Sequence, residues 1–164
     1  MAIEFSDYSV HVKDMLEKTV IGCLHEAAGE IEAQAKKNAE VKTGQTKGSY
    51  GYKVIPEQLE AKIGSPLENA IWEEFGTGEY ALEGNGRSGG WWIKVGMGRD
   101  EIAPDVAASY KWEKVRKDKD GNLTFVFTRG KKPRRILQRA FDAKKNIVKQ
   151  IFERGMKEGM DSDN

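Results

Sequence analysis

The stretch Trp72-Glu73-Glu74-Phe75-Gly76-Thr77-Gly78 divides this sequence in two. An acidic, aromatic segment runs straight into Gly-Thr-Gly, and glycines recur from there to Gly90. Glycine reaches positive φ without steric cost, so this junction predicts a sharp turn into a loop spanning residues 76–90. Trp72 and Phe75 are left at the root of that loop, where they suit either the rim of an active site or a surface used in assembly.

Working back from the junction, Ser65-Pro66 with Glu68 has the pattern of a helix start. Serine accepts a first-turn amide, proline fits the first helical position, and glutamate three residues on completes a capping box. Ser49–Ile55 and Leu59–Gly64 alternate apolar and polar residues around Pro56-Glu57, which predicts a hairpin. Earlier still, Val12, Leu16, Val20, Cys23 or Leu24, Ala27, Ile31 and Ala35 recur at steps of three and four, predicting one long helix over residues 8–42. Ser6, Asp7 and Ser9 are its candidate N-caps and Gly44 its C-terminal stop. Such a helix is about 50 Å long, more than a small domain needs. Its charged and alanine-rich half, Glu30 to Lys42, is expected to project toward another subunit. Gly22 and Gly29 are expected to admit a neighbouring element closely.

Working forward, Trp91–Val95 reads as a short strand and residues 96–104 as irregular. Residues 110–128 read as a hairpin turning at Asp118–Asn122, where Asp-Gly between alternating segments is a strong turn signal. A last helix over 134–157 carries Ile136, Leu137, Ala140, Phe141, Val148, Ile151, Phe152 and Met156 as its apolar stripe, with a frayed polar end beyond Gly159. The expected fold class is α+β: a long N-terminal helix and a C-terminal helix packed on an antiparallel sheet, with an extra hairpin and a long glycine-rich loop. The 164 residues suffice for one domain with its own core.

Composition narrows the function classes. Charged residues make up 32% of the chain, yet the net charge is only +1, so no global field draws it to nucleic acid or a membrane. A lone cysteine, Cys23, excludes an internal disulfide and falls on the apolar side of the first helix, where burial is expected. The first residues lack the basic and apolar regions of a signal peptide, and no run of about 20 apolar residues predicts a membrane span.

The tempting chemical motifs each lack a necessary part. Gly84-Asn85-Gly86-Arg87-Ser88-Gly89 has G-x-G-x-x-G spacing, but neither a strand before it nor a helix after it to face a phosphate. His25-Glu26 is followed by Gly29 where a zincin needs histidine, and His11 lies about four turns away. Asp118 and Asp120 suit turn chemistry better than a calcium loop. Glu73, Glu74, Glu79 and Glu83 could pair as glycosidase carboxylates, with nothing in the sequence to raise a pKa. No nucleophile elbow is present. The reading is therefore of a non-enzyme, without cofactor, metal or catalytic residues.

Charge placement says more than net charge. Acids dominate from Glu57 to Glu83, and bases from Arg129 to Lys145. Opposite faces of this kind would let copies stack head to tail and close into a ring. The alternative is a nucleic-acid-binding accessory protein whose basic segment 129–145 holds phosphates.

Three segments together resemble a known family. Thr43-Gly44-Gln45-Thr46-Lys47-Gly48-Ser49 resembles a T-G-x-x-x-x-S start, Glu74-Phe75-Gly76-Thr77-Gly78 an E-F-G-T-G centre, and Gly130 to Phe141 a G-x-x-P-x-x-[FIL]-L-x-x-A-F lead into a last helix. In this order they are similar to the neck, tail-completion or head–tail joining proteins of lambdoid long-tailed bacteriophages, over about Lys36 to Ile151. Thr46 departs from the family's aliphatic position, and the stretch from Tyr80 to Thr128 is longer than usual. The resemblance implies a structural virion protein of 1–164 as a single neck domain. It implies a homo-oligomeric ring, six copies being one candidate number, that meets the head-closure or connector protein and the tail-terminator or tail-tube protein. Genomic DNA would pass through the lumen, without a membrane. Trp72, Glu74, Phe75, Gly76, Thr77 and Gly78 would form the root of an assembly loop, and Arg129, Lys131, Lys132, Arg134, Arg135 and Arg139 a basic interface. Pro133, Ile136, Leu137, Ala140 and Phe141 would seat the last helix on the sheet.

Overall fold

A computed structural model describes residues 9–39 and 44–161. Candidate caps Ser6 and Asp7, the 40–42 end of the first helix and Thr43 lie outside the described residues. The chain divides into two compact units, one built from Met1–Ala70 with Ile136–Asn164 and the other from Ile71–Arg135. The fold is α+β, with two separate antiparallel sheets.

The first unit is organised by two long helices, α1 (Ser9–Asn38) and α5 (Ile136–Asp161), joined in the core by α2 (Gln45–Ser49) and the hairpin β1 (Gly51–Ile55) and β2 (Glu60–Gly64). The helices run antiparallel: the Asn38 amide donates to the Ile136 carbonyl at 3.1 Å, Lys144 Nζ bonds Glu30 at 2.7 Å, and Thr19 lies against Gly159. Small residues make this close approach possible. A Cβ on Gly155 would overlap the Cys23 sulfur, and one on Gly159 would sit 2.6 Å from the Thr19 hydroxyl. Ile31, Ala35, Ala39, Tyr50, Ala70, Ile136 and Ala140 form one buried cluster; Cys23, Ala27 and Ile151 form a second. Each buried isoleucine contributes about 1.5–3 kcal/mol relative to exposure. The Cys23 thiol is pushed up by its burial first and by the Glu26 charge second, so it stays an inert packing group.

Several expectations change here. The charged and alanine-rich part of α1 does not project: Ile31, Ala35 and Ala39 are buried, as are Cys23, Ala27 and Ala28 before it, whereas Val12, near the start, is 41% exposed. Alanine reads as weakly apolar but lets a second helix come close, and hydrophobic spacing alone misses that. Gly22 meets nothing, and Gly29 only touches the Tyr52 ring; the closely approached glycines are on α5. α5 packs along α1 rather than on a sheet, its end is helical to Asp161, and Phe141 is exposed. Ser49 ends α2 instead of opening a strand, its hydroxyl bonded to the Thr46 carbonyl and sharing a hydrogen bond with Ser65 at 2.7 Å. Ser65 turns the chain ahead of α3 (Glu68–Phe75) and is not its N-cap: its hydroxyl accepts the Leu67 amide at 3.1 Å, two residues on, and the helix opens only at Glu68, past Pro66.

The second unit holds a three-stranded sheet ordered β3 (Trp91–Lys94), β5 (Leu123–Thr128), β4 (Lys114–Lys117). Val126 at its centre is fully buried. The expected turn is present: Asp118 accepts the amides of Asp120 and Asn122 at 2.9 and 2.8 Å, and these bonds, the Asn122 amide foremost, hold its carboxyl below the ordinary value. The segment 110–113 is not strand. A helix, α4 (Pro104–Ser109), precedes it, and the Trp112 indole donates to the Ala107 carbonyl at 2.7 Å. Pro104 at the first helical position was the local signal for α4.

Candidate assembly site

The segment expected to root an assembly loop is a backbone clamp within the second unit. As α3 ends, Gly76 and Gly78 adopt φ of 74° and 61° and become buried. Their positive φ lets Thr77 and Glu79 turn their amides toward the chain that leaves β5. Thr77 N donates to the Lys131 carbonyl and Glu79 N to the Arg129 carbonyl, both at 2.9 Å. The Thr77 hydroxyl accepts the Lys131 amide at 2.9 Å. Threonine is thus fixed at both ends, like one rung of a sheet. There is no room for side chains at the glycines. A Cβ on Gly76 would lie 2.8 Å from the Lys131 carbonyl and from Pro133, one on Gly78 would overlap the Arg129 carbonyl, and one on Gly130 would overlap the Thr77 carbonyl.

This joins the second and third family-like segments directly: Gly76-Thr77-Gly78 closes on Arg129-Gly130-Lys131. Glu73 fastens the same join. Its carbonyl accepts the Arg134 amide at 2.7 Å and the Arg135 amide at 3.2 Å. Its carboxylate, only 13% exposed, bonds Lys131 Nζ and lies 3.8 Å from Arg134 Nη1. The loop that follows is folded down. Leu82 N bonds the Phe75 carbonyl at 3.0 Å, and Gly89 N bonds Glu79 Oε1 at 2.9 Å. Glu79 also meets Arg129 at 3.1 Å, and Glu113 takes the other side of that guanidinium at 3.0 Å. Together they hold Arg129 above its ordinary pKa, Glu113 contributing most.

The acidic and basic segments therefore neutralise one another inside one chain at Glu73, Glu79, Arg129, Lys131 and Arg134. Those charges do not make two opposite faces. Lys132 is exposed over the Tyr80 ring at 5.5 Å, and Arg135 is exposed with φ of 51°, while Arg139 belongs to the other unit. Trp72 and Phe75 are 46% and 47% exposed, so neither is a buried anchor. Beside the clamp a cleft of about 770 Å³ is lined by Trp72, Thr77, Tyr80, Trp91, Tyr110 and Trp112 among others. Sequence reading undervalued Glu73 and Gly130, although both stood inside quoted motifs; their partners lie more than 50 residues away.

The glycines of the G-x-G-x-x-G stretch lead into strand β3, not a helix. Among the described residues, no three His, Cys, Asp or Glu side chains gather to hold a metal ion. His25 packs edge-on against Tyr52, 5.9 Å between rings. No helix among the described residues is long and apolar enough to cross a membrane.

A long helix, a hairpin and a glycine-closed turn define a structural module. Residues 4–76 match a protein family described as "Bacteriophage HK97-gp10, putative tail-component". Over that segment, from α1 to the first glycine of the clamp, the chain is similar to a bacteriophage tail component, in agreement with the resemblance of its motifs to phage neck and tail-completion proteins. No curated protein and no solved structure matches the chain.

Proposed function

We propose that this protein is a structural component of the head–tail junction of a tailed bacteriophage, where it joins or completes the tail as a ring around the DNA channel. The match over residues 4–76 carries this reading, because it runs through α1 and the hairpin and ends inside the glycine clamp. The clamp supports a role without catalysis: it spends its polar groups on holding two chain segments together, and leaves Trp72 and Phe75 outward for a neighbour. In this reading residues 1–164 work as one neck domain, the 76–90 loop meets the next copy, and the ring contacts the head-closure or connector protein and the tail-terminator or tail-tube protein. The protein would reside in the virion.

Phage particles made without this protein should accumulate full heads and finished tails that fail to join, seen by electron microscopy of lysates. Supplying the protein in trans should restore joining. Normal infectious particles in its absence would overturn the proposal, and discrete rings of purified protein at high concentration would support it.

A further inference from the structure

The sheet of the second unit carries a second surface beside the clamp, meeting it at Phe127, whose ring lies 5.9 Å from the Arg129 guanidinium. Its register places Lys114, Phe127 and Trp92 in one row and Arg116, Phe125 and Lys94 in the next. Directly opposed residues of an antiparallel sheet share a face, so three cations and three aromatic rings lie together. The buried Val126 belongs to the other face. Trp92 and Phe127 meet edge to face at 5.4 Å, with Arg116 over Trp92 at 4.4 Å and Lys114 over Phe127 at 5.4 Å.

Lys94 is answered by Glu101 at 2.8 Å. Among the described residues, neither Lys114 nor Arg116 has a carboxylate partner, and both side chains are exposed. Lys117 and Lys119 follow on the same strand and turn, and the one acid between them, Asp118, is occupied by turn amides. A guanidinium stacked on an indole keeps its N–H edge free, and the ring holds it in place before any ligand arrives. Lys114 and Arg116 are two residues apart on one strand, about 6.7 Å, commensurate with phosphates that follow one another along a nucleic-acid strand.

We propose that this face, Lys114 and Arg116 seated on Phe127 and Trp92 with Lys117 and Lys119 beside them, binds the phosphodiester backbone of duplex DNA without reading its sequence. The cations supply the charge and the rings fix their direction. Arg129, Lys131 and Arg134 of the basic segment are already engaged by glutamates. The binding requires no ring, so it stands whether or not the chain joins heads to tails.

Fluorescence anisotropy of a labelled short duplex, titrated with the intact protein, tests this. Binding should be in the range of about 1–100 μM at physiological salt and tighter at low salt, weakening steeply between about 50 and 200 mM. Lys114→Gln and Arg116→Gln should each lower the salt slope by about 1, and the double variant should bind at least ~10-fold more weakly at low salt. Trp92→Leu should weaken binding although it removes no charge, whereas Lys149→Gln, at an exposed α5 cation paired with Glu153, should leave it unchanged. Circular dichroism should show each Gln variant folded, as both positions are exposed. No binding at low salt, wild-type binding by the double variant, or tighter binding to phosphatidylglycerol vesicles than to duplex at equal phosphate would overturn the proposal.

Discussion

The helix pair α1–α5 and the segment 71–135 close on themselves by opposite means. The helices meet through what is missing: Gly155, Gly159, Ala27, Ala28 and Ala35 bring two backbones together so that Ile31, Ile136 and Ile151 can be buried. The 71–135 segment has few buried apolar residues, chiefly Val126 and Ala107, and is fastened by backbone hydrogen bonds, glycines at positive φ and ion pairs. Packing of the first kind tolerates small adjustments, because helices can slide or tilt. A clamp of the second kind has no slack, since each glycine faces a carbonyl.

That contrast is broken most directly at Gly78. Gly78→Ala places a Cβ into the Arg129 carbonyl and strains a φ of 61°. Backbone strain and overpacking together should cost about 2–5 kcal/mol in urea unfolding. Hydrogen exchange should lose protection across 76–131 first, while the buried amides of 27–39 keep theirs. Gly84 has a similar φ of 68° but no neighbour within 4 Å, so Gly84→Ala should cost only about 1 kcal/mol. Equal effects at the two glycines would show that strain alone, rather than the clamp, sets the cost.

The same contrast explains what the sequence made legible. Local signals were readable: the Ser65-Pro66 turn ahead of α3, the Asp118–Asn122 turn, and the existence of α1 and α5 all follow from residues within a few positions of each other. The E-F-G-T-G stretch was readable as a turn, because glycine reaches its positive φ without steric cost. What closes on it was not, since Glu73 finds Lys131 across 58 residues and no periodicity reports that pairing. The burial within the Glu30–Asn38 part of α1 was hidden for a related reason. Alanine carries little hydrophobic signal, and whether Ala35 and Ala39 are buried depends on Ile136 and Ala140, about 100 residues away.

The helix side of the comparison is sharpened by a double-mutant cycle. Gly155→Ala directs a methyl at the Cys23 sulfur, and overpacking should cost about 1–3 kcal/mol, offset by up to about 1 kcal/mol of helix propensity. Cys23→Ala removes the obstructing atom. The two changes together should cost less than the sum of the singles by about 1 kcal/mol or more, measured by chemical denaturation. Strict additivity would mean that α5 shifts as a body instead of meeting Cys23.

The smallest expected effect concerns charge along the same helix pair. Lys144 bonds Glu30 at 2.7 Å, and that hydrogen bond first, then the charge of Lys144, holds the Glu30 carboxyl below its ordinary value. A group with a depressed folded pKa contributes stability that is complete above its unfolded pKa and disappears as pH falls through the folded value. Glu30 is 42% exposed, so solvent screening keeps the contribution within about 1 kcal/mol. Thermal melts of the wild type and of Glu30→Gln should therefore differ slightly at neutral pH and converge as pH drops below the ordinary glutamate range. A difference that grows on acidification would reverse the sign, and would mean that Glu30 is worth more to the helix pair protonated than charged.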